Sequence, residues 1–343
     1  MGDNLTAVNP EQLKEILRHV VKSKASLIIK GAPGIGKTAI VEEAVKELGY
    51  EFMAMYPAIS SPTDFLGHPV YDDTTKTARF VPYGNLERLI NATQPIVVLL
   101  DDFGFASPSV QAASMHLLAE RRVGDNAISD HVNFIIATND KGQHAGVNSI
   151  IEPVKSRPVS IVELKPDVDM WINWANKNNI RPELIGFIKF RPHLLHAFTP
   201  TSEMTNSPSP RTCVHVSQIL DYNLKDDTRF AMIAGAVGSG FAYEFDGFLR
   251  MFEGLVDPEE LLNNPENVDL SAENPAILCA YCSIVTSKAT RDNMASVIRF
   301  AERLPNEYMV KLVAFDILGK DQNLSETKAY ITWTIKNQEL LAA

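Results

Sequence analysis

Gly31-Ala32-Pro33-Gly34-Ile35-Gly36-Lys37-Thr38 fits the pattern G-x-x-x-x-G-K-[ST], and its flanks supply the context that gives the pattern meaning. Ser26 to Lys30 ahead of it reads as a short apolar strand, and Lys37 to about Leu48 behind it reads as a helix. In such a strand–turn–helix unit the glycines let backbone N–H groups close around phosphate oxygens. The helix N-terminus adds its positive dipole end. Lys37 is then the cation for the β and γ phosphates, Thr38 supplies a hydroxyl ligand for Mg²⁺, and Ala39 completes the candidate binding set.

A metal-bound triphosphate calls for a carboxylate at a neighbouring strand end. Ile96-Val97-Val98-Leu99-Leu100 runs straight into Asp101 and Asp102. Side chains alternate faces along a strand, so the two acids take different places. Asp101 is expected to order the Mg²⁺ shell and Asp102 to polarise the attacking water; two acids closing a strand in a turn is the plainer alternative. A further strand, Asn133 to Thr138, ends in Asn139-Asp140-Lys141-Gly142. Asn139 is either a turn residue or, if its strand lies between the other two, an amide facing the γ phosphate and the lytic water.

Outward from these segments, Leu13, Ile16, Leu17, Val20 and Val21 give one apolar helix face behind Asn9-Pro10. With a helix from Ser107 to Glu120 and a strand from Val159 to Leu164, strands and helices alternate, which predicts a parallel sheet with helices on its faces. Pro69 to Pro82 and Arg122 to His131 are polar, β-leaning interruptions that read as hairpins. Past Leu164 the pattern becomes helical, with about nine stretches; Met294, Val297, Ile298 and Ala301 form one clear stripe. Thr199 to Pro210, dense in Pro, Ser and Thr, is expected to be a loop.

A chain of 343 residues suggests two domains at about 150 residues each. Its 45% hydrophobic and 22% charged residues exclude a disordered chain. The formal charge of -10 disfavours a dedicated duplex-binding surface, which needs concentrated basic charge. No apolar run approaches the roughly 18 residues of a membrane span. Met1-Gly2-Asp3-Asn4 shows no signal-peptide pattern, so a cytoplasmic location is expected. Cys213, Cys279 and Cys282 are too few for a disulfide framework, and the C-x-x-C spacing of the last two sits within an apolar helical pattern, pointing to buried packing.

Taken together, the sequence resembles the AAA+ ATPases, and within them the MoxR type of the helix-2-insert clade. The resemblance implies a P-loop core with a five-stranded parallel sheet over residues 1–164, then a helical lid and C-terminal helical region over 165–343. Ser61 to Val70 looks like the approach to the helix-2 insert (about 61–82), and Glu120-Arg121-Arg122-Val123-Gly124 like the lead into a pre-sensor hairpin (about 121–132). Asn139 corresponds to the first sensor. Arg157, ending the run Glu152-Pro153-Val154-Lys155-Ser156-Arg157 that reads with Val147 onward as a helix, corresponds to a trans-acting arginine finger. Arg211, in Ser209-Pro210-Arg211-Thr212, corresponds to the second sensor.

What the resemblance implies for function is ATP hydrolysis with Mg²⁺ in a homo-oligomeric ring, most often a hexamer. The energy would remodel, activate or mature a protein partner in the manner of a chaperone, often through a von Willebrand factor A domain protein. The departure is Asp102, where the family usually has glutamate; one methylene less draws the carboxylate back and predicts slow hydrolysis. A nucleic-acid motor or loader, and a slowly hydrolysing ATP-gated scaffold, are the competing expectations. His193 and His196 lack a third ligand, Trp171 and Trp174 read as packing residues, and Arg121-Arg122 fits a solvated helix end or a contact with nucleic acid or a neighbouring subunit.

Overall fold

The structure is a computed structural model describing residues 6–139, 150–198, 204–255, 257–270 and 274–342. It divides into two compact units, Met1–Pro166 and Asp167–Ala343.

The first unit is built on a parallel sheet. Its strands are β1 (Ala7–Val8), β2 (Leu27–Lys30), β3 (Glu51–Met55), β6 (Ile96–Leu100), β9 (Val132–Thr138) and β10 (Ser160–Leu164), in the order β1-β10-β2-β9-β6-β3. Among the described residues the sheet has six strands where five were expected, because two-residue β1 pairs with β10 at Ala7↔Glu163 and Val8↔Leu164. Between β3 and β6, β4 (His68–Asp72) and β5 (Thr77–Val81) form an antiparallel hairpin; β7 (Arg122–Val123) and β8 (Asn126–Ala127) form a second. Both lie where the polar, β-leaning interruptions fall in the sequence.

Alternation along the central strands sorts their side chains onto two helical layers. Leu27 and Ile29, Val97 and Leu99, and Ile135 and Ala137 pack with Leu13 and Leu17 of α1 (Pro10–Lys22) and Val41 and Ala44 of α2 (Lys37–Glu47). Their neighbours Ile28, Val98, Leu100, Phe134 and Ile136 face the opposite layer. There they meet Phe65 of α3 (Thr63–Leu66), Leu86 and Leu89 of α4 (Asn85–Ile90) and Val110 of α5 (Pro108–Met115). Asn9 and Gln12 form a reciprocal capping box at the start of α1, with Pro10 in the first helical position. The helix expected to Glu120 changes character at His116, where α5 passes into a π-helical turn. In place of a helix from Val147 to Ser156, α6 spans only Glu152–Lys155, entered through the extended backbone of Ile151; residues 147–149 lie outside the described set.

The described residues of the second unit form helices and no strand. It contains α7 (Val168–Lys177), α8 (Pro182–Phe190), α9 (Pro210–Leu220), α10 (Asp226–Val237), α11 (Ser239–Glu253), α12 (Pro258–Asn263), α13 (Pro275–Lys288), α14 (Met294–Ala301), α15 (Asn306–Val310), α16 (Ile317–Lys320), α17 (Lys328–Lys336) and α18 (Gln338–Ala342). Twelve α-helices among the described residues, where about nine stretches were expected, reflect short elements too brief to show a full apolar period. Every residue from Leu278 to Thr286 is buried, so α13 is the central helix of this unit. It approaches α8 closely at Gly186, where a Cβ would stand 2.8 Å from Ser283 Oγ and 3.3 Å from Ala280 Cα. Trp171 is buried and Trp174 half-buried in the same core, as packing residues. Of the segment 199–210, residues 204–209 carry no regular structure and 199–203 lie outside the described residues.

Candidate functional site

The strand order brings the chemistry-bearing segments together. β9 lies between β2 and β6, so the loop after β2, the acids after β6 and Asn139 after β9 emerge at the same carboxyl edge of the sheet. Continuing the alternation, Asp101 and Asn139 share the face of Leu99 and Ala137, the face covered by α2, while Asp102 turns away.

Residues 31–36 form a turn whose shape depends on glycine. Gly34 and Gly36 have φ of 75° and 99°, the left-handed region. A Cβ on Gly31 would stand 2.9 Å from the Leu164 carbonyl oxygen, a backbone atom that cannot move aside cheaply. Gly36 is the N-cap of α2 and supplies no side chain to its first turn. Lys37, Thr38 and Ala39 therefore bring to the turn backbone N–H groups that have no partner within the helix, the arrangement suited to an anion. Pro33 and Ile35 complete the turn, with Ile35 buried in the core beside Ala32.

Lys37 is 7% exposed despite its charge. Its ammonium donates to Gly31 O at 2.9 Å, Ala32 O at 3.0 Å and Asn139 Oδ1 at 2.7 Å. The Asn139 amide is thereby oriented: its Nδ2 donates to Asp102 Oδ1 over a long 3.4 Å contact. The reverse orientation would set the amide hydrogens against the ammonium. Beside this chain, Thr38 Oγ1 donates to Asp101 Oδ2 at 2.6 Å, and Asp101 Oδ1 accepts from the Asp102 backbone N–H at 2.9 Å. Asp101 is 8% exposed and Asn139 9%. Asp102 adopts φ 51°, ψ 33°, a left-handed conformation that aspartate tolerates better than most residues and that turns the chain out of β6.

The donor set suits a triphosphate with a hard divalent cation: N–H groups and an ammonium for phosphate, a hydroxyl and a carboxylate already side by side for Mg²⁺. No group of three or more His, Cys, Asp or Glu side chains able to hold a metal occurs among the described residues.

The two arginines fall in different units of the chain. Arg157 follows α6, is exposed, and donates from Nη1 to Pro153 O at 2.8 Å. Arg211 belongs to the helical unit, exposed on the first turn of α9. The motif around it has a local explanation: Ser209 is the N-cap and Pro210 the first helical residue. Thr212 closes a capping box, with Thr212 N donating to Ser209 Oγ at 3.2 Å and Ser209 N to Thr212 Oγ1 at 2.8 Å. Arg121 has a local role too, its guanidinium donating to Ser129 O and Val132 O. The three cysteines are free and buried; burial pushes the Cys213 thiol up to about 12 and Cys279 up to about 11, which makes them inert packing groups. No described helix is long and apolar enough to cross a membrane.

Residues 26–157 match the family model AAA_3, the ATPase family associated with various cellular activities (AAA). No curated protein matches the chain. Similar solved structures include RuvB from Thermotoga maritima, a Holliday junction branch migration motor (11% identity, TM-score 0.35, covering 95% of this chain and 87% of that one). A point mutant of the same RuvB is 14% identical with TM-score 0.42, covering 75% of each chain. A protein of Cytophaga hutchinsonii described as "a putative ATPase" is 15% identical with TM-score 0.38, covering 97% and 88%. At these scores the likenesses carry no argument about activity. Residues 26–157, the span that holds the glycine-rich turn, the acid pair and Asn139, are the part of the chain that is similar to this ATPase family.

Proposed function

We propose that this chain is a MoxR-like AAA+ ATPase that hydrolyses ATP with Mg²⁺, works as a homo-oligomeric ring, most simply a hexamer, and spends the energy on remodelling a protein partner. The observation that carries the ATPase reading is the chain of contacts Lys37–Asn139–Asp102 beside the Thr38–Asp101 pair. The β4–β5 and β7–β8 hairpins, at the positions where the MoxR type has its insert and pre-sensor hairpin, support the finer assignment.

In this reading the first-turn N–H groups of α2 and the Lys37 ammonium bind the phosphates. Lys37 exchanges its bonds to Gly31 O and Ala32 O for phosphate oxygens, while Asn139 keeps it aimed. Thr38 and Asp101 are the residues that would hold Mg²⁺, which when bound neutralises charge on the phosphates. Asp102 orients and polarises the attacking water, and the Asn139 amide fixes where that carboxylate sits. An arginine from a neighbouring subunit, Arg157, and Arg211 of the helical unit would stabilise the charge developing on the transferred phosphoryl group. Slow turnover follows from the short reach of Asp102 compared with glutamate.

The test is steady-state ATPase activity of the full chain, alone, with single-stranded DNA, and with proteins that co-purify with it. Hydrolysis that needs Mg²⁺, is lost in Asp102→Asn and rises with a protein but not with DNA supports the proposal. Stimulation by DNA alone, or full activity in Asp102→Asn, contradicts it.

A further inference from the structure

The first unit also holds a cavity of about 310 Å³ at the end of β3, lined by Met55, Tyr56, Ile59, Asp64, Tyr83 and Asn85. Its rim is apolar and open to water: Ile59 is 87% exposed, Tyr56 47% and Tyr83 41%. Single exposed apolar residues need no explanation, but three on the mouth of one cavity form a surface waiting to be covered.

Within it lies a carboxylate held rigidly. Tyr83 Oη donates to Asp64 Oδ1 at 2.6 Å, and Ser61 donates to Oδ2 through its N–H at 2.7 Å and its hydroxyl at 3.2 Å. The Tyr83 hydroxyl, with the Ser61 donors, holds the Asp64 carboxyl below its ordinary range, so it is an anion at neutral pH. Among the described residues no lysine, arginine or histidine forms an ion pair with Asp64, in contrast to Glu47, which meets both Lys14 and Arg18. A carboxylate offers about four lone-pair sites. Three are used, and the one remaining is on Oδ1, beside the tyrosine.

We propose that this cavity is a docking site for an arginine side chain carried on a segment of a partner protein. The cavity's anion is fixed and has no ion-pair partner among the described residues, and its walls include two tyrosines, whose ring faces attract cations. A guanidinium can lie flat on an aromatic ring while one N–H reaches a carboxylate oxygen, which an ammonium does less well. The exposed Ile59 and Tyr56 decide for a protein segment over a small free cation: only a chain flanking the arginine covers the rim and removes water from around the ion pair. None of its lining residues belongs to the phosphate turn, the acid pair or Asn139, although Met55 O accepts from the Asp101 backbone N–H at 2.9 Å.

The test is methyl NMR of the full-length protein, reading Met55 and Ile59 during titration with acetyl-Ala-Arg-Ala-amide, its citrulline counterpart and agmatine. The arginine tripeptide is expected to shift both methyl signals saturably. Citrulline should bind roughly 10-fold more weakly or worse, as loss of a charge-assisted bond requires, and agmatine more weakly than the tripeptide because it leaves the rim bare. Asp64→Asn should abolish the response. Because Asp64 also anchors Tyr83, Tyr56→Ala provides the second variant: it should weaken binding several-fold with unchanged melting. Equal binding of arginine and citrulline peptides, absence of a saturable shift, or Tyr56→Ala binding like wild type overturns the site. Agmatine binding as tightly as the tripeptide overturns the protein-segment assignment.

Discussion

Lys37 Nζ donates to Asn139 Oδ1 at 2.7 Å, joining residues 102 positions apart in the sequence through the adjacency of β2 and β9. Through the other end of the same amide, Asn139 reaches Asp102. One side chain thus links the cation proposed to bind phosphate to the carboxylate proposed to act on water.

Replacing Asn139 with alanine should therefore leave ATP affinity within a few-fold of wild type and lower the hydrolysis rate by roughly 10²-fold, the scale of loss when a reacting group is misplaced. Single-turnover kinetics with bound ATP separates the two effects. A variant that hydrolyses normally would return Asn139 to being a strand-end residue.

Asp101 and Asp102 should part company on substitution. Asp101→Asn weakens the partner of the Thr38 hydroxyl and should lower Mg²⁺-dependent ATP binding, whereas Asp102→Asn should bind ATP and hold it uncleaved. Asp102→Glu should raise turnover if the shorter side chain limits the rate. Equilibrium binding with and without Mg²⁺, followed by product analysis, distinguishes all three.

Arg157, exposed and donating to Pro153 O of its own segment, is the residue proposed to act on a neighbouring copy. Arg157→Ala should bind ATP and lose roughly 10³- to 10⁵-fold in rate. Mixed with Lys37→Ala under subunit exchange, it should regain partial activity, because some interfaces pair an intact pocket with an intact arginine. Mixed rings that form and stay inactive contradict the assignment.

Much of this site was legible before any coordinates. The turn at 31–38, the acids and Asn139 each adjoin an apolar run, but that Asp101 and Asn139 share one face follows only from the pairing of β6 with β9. Other features gave weak signals. Ala7–Val8 is too short to show a period, and Glu51-Phe52-Met53-Ala54-Met55 contains no β-branched residue, so neither strand declared itself although β3 ends at the cavity beside Asp64. The π-helical turn at His116–Glu120 is equally silent, because its apolar spacing is close to that of an α-helix. The Asp64–Tyr83 pair joins residues on opposite sides of a hairpin, and nothing in the order of residues announces such a contact.

The motif at Ser209–Thr212 combines two roles that substitution can separate. Ser209→Ala removes the N-cap of α9 and should cost about 1 kcal/mol of stability, lowering the melting temperature of the helical unit. Arg211→Ala, an exposed change on the same turn, should leave melting unchanged and reduce hydrolysis. Thermal melting and ATPase rate measured on both variants check the separation; equal behaviour of the two would make the motif a cap and nothing more.

The most direct test of the account is ATP binding by Lys37→Ala, measured by calorimetry with Mg²⁺ alongside thermal melting. Charge-assisted hydrogen bonds are worth about 1.5–3 kcal/mol, so affinity should fall by roughly 10- to 150-fold while the fold survives. Undiminished ATP binding by a folded Lys37→Ala protein would contradict the phosphate-binding role of the turn on which the proposed function rests.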